Sequence, residues 1–544
     1  MTSHINSSPV VADPDPIKQA FVDEEAVTES KVITTTDLNH LPPIALPRWS
    51  KEWFWEVRGS MFVIMATITL AIFTDIFLYA IIVPVVPYAF EARLGLAQDK
   101  VQSAISKALA IYSVGLIVGS LIFGYISDKI KRRQVLMIGG LAIIIGSTFI
   151  LMFAHTMWLY LVGRLIQGLS ASIVWVVGLA IIADSGDPDN MAFLMSFPGI
   201  GMSLGIFLGP FIGGIAYEQS GYYSVFYICF AILALDVALR LFMLERSELF
   251  SLRHKRALEL SQREDLATLS PELGEYVARY VSFRDDTEEY KQRARELQNE
   301  FGPKVTVFGR RYNLPVFLAL LYNRRVACAV FLGVSMAWVM AAVDTTMTLH
   351  LSEIFGFNSL QSGLVFLALA GPTLFEPLAG KLSDRYGSKY CITFGYVLLA
   401  PFFILLRIPD EKTAGNIALF VVLIVLCGTM LMIVTAPSLA EITKGITDLE
   451  SEHPGIYGKS KGFGQGYGLF NVGFSIGSLI GPFQAGGTKD NSGWGMMTLS
   501  IGIICFLVGG ISLLFAGEGF RLLKKPEQKD ASVVVQEDSV VTRV

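Results

Sequence analysis

Twelve long apolar runs dominate the sequence and decide what it can fold into. They lie near residues 61–87, 103–126, 134–154, 157–182, 192–216, 223–244, 326–350, 361–381, 390–406, 415–437, 464–482 and 494–517. A helix of ~20 apolar residues crosses a bilayer. Of the 544 residues, 53% are hydrophobic and only 17% charged, which is too apolar for a water-soluble chain of this size. We therefore predict an all-α membrane protein with twelve transmembrane helices, numbered here as spans 1 to 12.

Polar segments divide these spans into two bundles of six. We predict helix bundles at 59–245 and 326–517, joined by a polar central loop at 246–325. Helical periodicity within the loop, at 261–283 and 288–301, predicts surface helices on a cytosolic linker, with a regulatory docking site as the alternative. Residues 1–58 and 518–544 lack apolar periodicity, so we expect a disordered cytosolic tail at each end and no cleaved signal peptide.

Basic residues collect in the loops on one side of the predicted membrane. Because cytoplasmic loops are enriched in Lys and Arg, both termini are predicted to be cytosolic. We favour the plasma membrane, with a vacuolar or vesicular membrane as the alternative. The basic residues that carry this prediction follow spans 2 and 8: Lys129, Arg132, Arg133, Lys381, Arg385 and Lys389.

The two halves repeat each other. Two motifs recur at fixed spacing, one in spans 5 and 11 and the other after spans 2 and 8. The first contains Gly205, Gly209 and Pro210, followed by Gly213 and Gly214, and it returns as Gly477, Gly481 and Pro482; the second contains Gly124 and Asp128 and returns as Gly380 and Asp384. Parallel six-span repeats are typical of transporters that rock two bundles about a central site.

Each motif has a structural and a mechanistic interpretation. Glycines four apart open a groove for a neighbouring backbone, and Pro210 permits a bend. We predict a close-packed, bendable contact between the halves, with plain packing as the alternative. Asp128 can pair with Arg132 or Arg133, or cap a neighbouring helix. That loop is therefore either a latch for one conformation or only a signal of topology.

Two carboxylates stand inside apolar runs. Asp75 lies near the middle of span 1, and Asp344 lies in span 7 of the other half. A charge at this depth costs ~2.5–3.5 kcal/mol, so it is retained only where it faces protein or water. We predict that the two acids occupy equivalent positions, face each other across a central cavity, and bind protons and cargo.

Other polar and aromatic residues in the spans have two interpretations each. Arg164 either extends to the interface or acts on a nearby acid. Glu376, between Pro372 and Pro377, lines a cavity or is structural, whereas Asp236 and Arg240 are spaced as an ion pair. Five aromatic residues are either core or the wall of a pocket for flat or cationic cargo: Tyr79, Trp175, Trp338, Tyr467 and Phe470.

These motifs together resemble the major facilitator superfamily, in its twelve-span drug:proton antiporter branch, over nearly all of residues 60–517. The glycines and proline of span 5 look like the antiporter motif of that branch. In the family's loop motif a second glycine follows the acid. Here Lys131 replaces it after span 2, although the copy after span 8 keeps Gly387. The resemblance implies alternating access between two bundles.

Within this branch, the region around Asp75 resembles span 1 of the vesicular amine transporters, whose acid meets the substrate amine. Asp344 falls where those proteins carry an acid in span 7. Asn471 stands in place of their span 11 acid, and Tyr112 in place of the lysine that pairs with it. Amine recognition is therefore not carried over intact. The 235–241 pattern of span 6, with the long loop and tails, looks like fungal members.

The sequence favours proton-coupled export of small organic, amphipathic or cationic molecules. The expected partners are the substrate, protons and the lipid bilayer, without nucleic acid, and the expected state is a monomer. The proton gradient is the expected energy source, with no cofactor and no metal, because no phosphate-binding loop is present. The alternatives are a passive facilitator or proton symporter importing a nutrient, and a non-transporting receptor. An enzyme is not expected, because the spans contain no arrangement of a nucleophile with a base and no set of metal ligands. The five cysteines lie within the spans and are expected to be core residues.

Overall fold

The computed structural model describes residues 50–82, 85, 90, 93, 98–130, 132–261, 277, 280, 304–307, 310–313, 316–357, 359–452, 456–457 and 462–517. Most of both predicted tails, and nearly all of the two helices predicted in the central loop, lie outside these residues. The described chain forms two compact units. The larger contains both six-helix halves, and the smaller combines residues 50–54 with 247–261, 277 and 280.

Helices account for nearly all of the described residues, which confirms the predicted fold class. The N-terminal half contains spans 1 to 6 as Met61–Ala80, Gln98–Lys129, Arg133–Met152, Met157–Ser185, Met191–Ser220 and Tyr222–Phe242. The span 5 helix continues through Pro198 and Pro210 without interruption.

The C-terminal half follows the same order with one broken helix. Spans 7 and 9 to 12 are Arg324–Phe355, Ser388–Leu405, Ala414–Glu452, Phe463–Ser492 and Trp494–Phe515. Span 8 consists of Ser359–Ala370, a 3₁₀ turn at Gly371–Phe375, and Glu376–Tyr386. In the described part, 11 helical segments are long and apolar enough to cross a membrane. Span 11 is not among them, although its helix has 30 residues.

Local signals set the ends of these helices. Thr156 accepts a hydrogen bond from the Leu159 N–H at the start of span 4, and Asn323 caps the start of span 7. Span 5 passes into span 6 at Gly221, and span 11 passes into span 12 at Gly493, with φ of 78° and 84°. Glycine is needed at both turns because side chains disfavour positive φ. The repeat therefore extends to the backbone conformation of its turns.

Helix packing follows the same repeat. Span 1 packs on span 5 as span 7 packs on span 11, and span 2 packs on span 4. Between the halves, span 2 meets span 11 and span 8 meets span 5. These cross-contacts, together with the packing of span 4 on span 11 and of span 10 on span 5, form the surfaces on which the two bundles meet.

The glycine grooves pack within each half, so the predicted contact between halves is wrong. A Cβ built on Gly209 would lie 2.8 Å from the Ala80 Cβ of span 1, and one built on Gly481 would lie 2.6 Å from the Trp338 carbonyl oxygen of span 7. Gly213 touches Ile81, whereas Gly214 has open space beside it. The grooves thus allow each half to pack its own first and fifth helices closely.

Two smaller elements lie outside the spans. In the larger unit, Lys304–Val307 (β1) and Arg310–Asn313 (β2) form an antiparallel hairpin within the central loop. In the smaller unit, Arg256 donates a hydrogen bond of 2.7 Å to Glu52, which is buried. Burial by itself raises the pKa of Glu52, but the hydrogen bond and charge of Arg256 outweigh it and hold this pKa below its ordinary value.

The two neighbouring glycines of span 5 give opposite expectations for substitution by alanine. Gly209→Ala should destabilise the protein by about 1–3 kcal/mol, because the new methyl group has no space against Ala80. Gly214→Ala should be neutral or stabilising by up to about 1 kcal/mol, because alanine favours helix and the site is open. Thermal unfolding in detergent measures both, and equal effects would contradict the close packing at Gly209.

Candidate functional site

Asp128 joins the two halves by capping a helix of the opposite bundle. Its carboxylate accepts hydrogen bonds from the backbone N–H groups of Gly464 and Gln465, at 2.9 and 3.0 Å. These groups open span 11, where four N–H groups lack partners within the helix and the dipole favours an anion. Arg133 pairs with Asp128 at 3.2 Å and also with Asp184. Of the two roles predicted for Asp128, pairing and capping, the geometry contains both.

Asp384 makes the equivalent contact from the other half. Its two oxygens accept from the N–H groups of Ala192 and Phe193, at 3.0 and 2.8 Å, at the start of span 5. Lys444 of span 10 lies 3.8 Å from the same carboxylate. We call the Asp128 contact the 2–11 contact and the Asp384 contact the 5–8 contact.

Glycines bring the backbones together at both contacts. A Cβ on Gly124 would lie 2.9 Å from the Gly464 carbonyl oxygen, and one on Gly380 would lie 2.6 Å from the Ala192 carbonyl oxygen. Asn471 of span 11 donates a buried hydrogen bond of 2.7 Å to the Ser120 hydroxyl of span 2. The two halves are therefore in direct contact at the end that carries the 2–3 and 8–9 loops.

Asp75 is a buried carboxylate inside the N-terminal half. Its exposed fraction is 1%, and neither oxygen has a hydrogen-bond partner of normal geometry among the described residues. The Trp175 side chain is near enough to act on it, as is the ion pair of Asp236 with Arg240. That pair, at 2.6 Å, confirms the predicted spacing in span 6. The site therefore holds an acid that the surrounding protein does not satisfy.

Asp344 occupies a different level, so the predicted equivalence with Asp75 is wrong. In span 5, Gly205 contacts Phe73 and Ile76 of span 1. The equivalent glycine of span 11, Gly477, contacts Val334 and Ala337 of span 7. Equivalent positions of spans 1 and 7 are therefore 261 residues apart in the sequence. By this displacement Asp75 corresponds to Met336. Asp344 lies a little over two turns beyond, about 12 Å along the helix.

Asp344 nevertheless faces the N-terminal half. Its side chain is exposed and lies close enough to Tyr79 of span 1 to act on it electrostatically. The predicted joint action of the two acids in binding protons stays a prediction. In position, the two carboxylates are separated by a little over two helical turns of the repeat.

Arg164 is enclosed by uncharged groups. Its guanidinium donates to the Tyr160 hydroxyl at 3.1 Å and to the Gln167 side chain at 3.0 Å, and it lies 5.7 Å from the Tyr79 ring centre. With an exposed fraction of 1%, it does not extend to the interface. No carboxylate forms an ion pair with it among the described residues. The prediction that Arg164 extends to the interface is thus wrong, whereas its action on a nearby acid stays a prediction.

Aromatic side chains line the facing surfaces of the halves. Trp175 of span 4 stacks on Phe474 of span 11 with ring centres 6.3 Å apart, and both are partly exposed. Tyr79 packs on Tyr112 at 4.7 Å. The other predicted pocket aromatics have structural partners or burial: Trp338 bonds Gln484, Tyr467 bonds Thr443, and Phe470 is buried.

The remaining predicted residues are placed as follows. Glu376 is buried at the break of span 8, against span 5 of the other half. Arg132 is exposed at the start of span 3, Arg385 is exposed beside Tyr386, and Lys131 lies outside the described residues. Among the described residues, no group of three or more His, Cys, Asp or Glu side chains could hold a metal ion.

Several residues that contribute to these contacts are not predicted from the sequence, among them Ser120, Gly199, Tyr160, Gln167 and Gln465. The repeat could have indicated two of them, because Ser120 is the position equivalent to Glu376 and Gly199 is the position equivalent to Asn471. Tyr160 and Gln167 stand four before and three after Arg164, on the same helix face. Gln465, whose backbone is capped, carries no comparable signal.

Comparison with known proteins agrees with this architecture. The Major Facilitator Superfamily profile matches residues 68–449 and 330–542. An uncharacterized MFS-type transporter of Schizosaccharomyces pombe is 34% identical over 84% of this chain and 96% of its own length. The MFS-type transporter ppzB of Metarhizium rileyi is 28% identical over 86% and 97%. The human organic anion transporter MFSD10 has the same fold, with a TM-score of 0.56, 17% identity, and coverage of 84% and 100%.

The chain belongs to the Major Facilitator Superfamily, which confirms the resemblance found in the sequence. It is an integral, multi-pass membrane protein of the MFS transporter type. Members of this family bind small-molecule substrates and reside in the lipid bilayer.

Removing either capping carboxylate should weaken the contact between the halves at the end that carries the 2–3 and 8–9 loops. Asp128→Ala and Asp384→Ala should each cost about 0.5–2 kcal/mol of helix capping, because backbone N–H groups lose an acceptor. A shift of about 1–2 kcal/mol changes the ratio of closed to open molecules about 5–30-fold. Pulsed electron-spin distances between labels on Ile130 and Tyr386, which are exposed at this end of each half, measure that ratio.

Asp187→Ala is the matched control for both substitutions. Asp187 is an exposed acid at the same end, and it caps only its own 3₁₀ turn. Its removal should leave the distance distribution unchanged. A response equal to that of Asp128→Ala would mean that surface charge, and not capping, sets the distance.

Proposed function

We propose that this chain is a proton-coupled antiporter that exports small organic, amphipathic or cationic molecules by alternating access. The observation that carries the proposal is Asp75, a buried acid in span 1 whose oxygens have no hydrogen-bond partner of normal geometry among the described residues. An ionised carboxylate in such surroundings needs a compensating cation. A proton or a cationic cargo group satisfies it equally, so the two compete for one site.

The cargo would enter between the halves, beside the partly exposed Trp175 and Phe474. These rings offer a flat apolar surface, and an aromatic face attracts cations. The positive-inside rule supports placing the 2–3 and 8–9 loops in the cytosol. On that orientation the contacts at Asp128 and Asp384 close the cytosolic side, and the conformation described here faces outward.

A specific observation favours a second candidate, transport of organic anions. Arg164 keeps its charge when buried, and its hydrogen bonds go to neutral groups. An arginine presents five N–H donors, of which only some are used here, so an anionic group of a cargo could bind it. The human structural relative, described as an organic anion transporter, is consistent with this candidate only at the level of fold.

Asp75→Asn tests the antiporter directly. The amide keeps the shape but cannot exchange a proton, so ΔpH-driven flux in proteoliposomes should fall to the level of protein-free vesicles. A panel of cationic, neutral and anionic compounds identifies the cargo class. Asp187→Asn, an exposed acid outside the spans, should transport normally.

Three results would contradict this proposal. Proton-driven flux that persists in Asp75→Asn would remove this acid from the mechanism. Flux that ignores a protonophore would indicate a passive facilitator, and cargo that binds but never crosses the membrane would indicate a receptor. Preferential flux of anions, lost in Arg164→Gln, would favour the second candidate.

A further inference from the structure

Glu376 is a buried carboxyl group at the surface where the two halves meet. It is the first residue of the helix Glu376–Tyr386, directly after the 3₁₀ turn of span 8, and its exposed fraction is 1%. Its carboxyl group rests against Gly199 of span 5. A Cβ built on Gly199 would lie 2.5 Å from the Glu376 Cδ and closer still to both oxygens. Glycine is the residue that leaves space for this acid.

One oxygen of this acid has no partner among the described residues. This oxygen is Oε1, and among the described residues no cation forms an ion pair with the carboxyl group. The charged groups on the packed elements act elsewhere: Asp384 caps span 5, Lys444 bonds Ser388, and Glu441 pairs with Arg325. The other charged groups on spans 5 and 8, on the turn before span 5, on the start of span 9 and on the described part of span 10 are Asp187, Asp189, Glu218, Lys381, Arg385, Lys389, Asp448, Glu450 and Glu452.

The repeat shows what stands at the equivalent place in the other contact. The spacing that relates Gly124 to Gly380 makes Ser120 the equivalent of Glu376. The spacing that relates Gly205 to Gly477 makes Asn471 the equivalent of Gly199. Asn471 and Ser120 share a buried hydrogen bond of 2.7 Å between uncharged groups. The 2–11 contact is thus closed by a neutral pair, whereas the 5–8 contact is closed over a lone acid.

We propose that Glu376 is a proton-binding site within the 5–8 contact. In the closed contact the carboxyl group is neutral, because it is buried and no cation among the described residues pairs with it to stabilise the ionised form. When spans 5 and 8 separate, water reaches Glu376, its O–H bond breaks, and the proton passes to that water. Opening therefore releases one proton on this side, and closing takes one up. As a coupling step this inference rests on the proposed proton-driven transport.

The linkage predicts how acidity moves the equilibrium between closed and open molecules. One released proton changes the ratio up to tenfold per pH unit, with the closed form favoured in acid. The Ile130 and Tyr386 labels measure this ratio in full-length protein in nanodiscs, without cargo and without a gradient. In Glu376→Gln, a neutral isostere, the contact should stay closed and lose this dependence. An unchanged slope in that variant would overturn the proposal.

Two matched variants separate Glu376 from its surroundings. Ser120→Ala breaks the neutral counterpart, and Asp384→Asn changes the other acid of the 5–8 contact. Both should shift the ratio at every pH while keeping the slope. If the pH dependence of the ratio is lost in Asp384→Asn and retained in Glu376→Gln, the proton is bound by Asp384, and the proposed site at Glu376 is refuted.

A second measurement applies even if Glu376→Gln folds poorly. Gly199→Ala places a methyl group where the carboxyl group rests, so the contact should open at every pH and its proton should be released. Infrared spectra of the protein should then lose one protonated carboxylic acid band, and Asp75→Asn should not remove that band. Retention of the band in a correctly folded Gly199→Ala protein would contradict the proposal.

These outcomes distinguish the two proposals. A contact that titrates through Glu376, in a protein without proton-driven flux, would support the proton site and refute the antiporter. Proton-driven flux with a contact indifferent to Glu376→Gln would support the antiporter and refute the proton site.

Discussion

The arrangement of the two halves depends on one interaction made twice, a carboxylate of one half capping a helix of the other. Asp128 and Asp384 each accept two backbone N–H groups at a helix start. Inside a membrane such groups must find a partner, since lipid offers none. At the end of a span, water can replace the carboxylate when the halves separate. The caps therefore hold one conformation without making the other prohibitively costly.

Much of the fold could be predicted because membranes make sequence patterns simple to interpret. The spans follow from apolar length, and the break near Glu376 from its two prolines. The partner of the glycine groove could not be predicted. A repeat shows that two surfaces are equivalent, but not which surface each one meets. Only the contacts of Gly209 and Gly481 place both grooves within their own halves.

The two acids of spans 1 and 7 show a second limit of sequence patterns. The sequence places Asp75 near the middle of span 1 and Asp344 within span 7, but the two helices have 20 and 32 residues. The midpoint of a longer helix is not the same level in the membrane. Glycine contacts give a better reference, because Phe73 and Val334 meet equivalent positions of the repeat. Burial likewise could not be inferred for Arg164, whose Tyr160 and Gln167 partners remove the need to reach water.

An exact repeat would make the two contacts between the halves respond alike, and a proton could not act on one without the other. The departure from symmetry lies at one pair of positions, with Ser120 and Asn471 in one contact and Glu376 and Gly199 in the other. The hydrogen bond between Asn471 and Ser120 joins two groups that do not ionise, so its stability does not depend on pH. A carboxyl group can be buried without a cation when it is protonated, but it needs water or a cation when it is ionised. On the proposals made above, the shared caps make the motion reversible, and this single asymmetric pair makes it depend on the proton, separately from cargo exchange at Asp75.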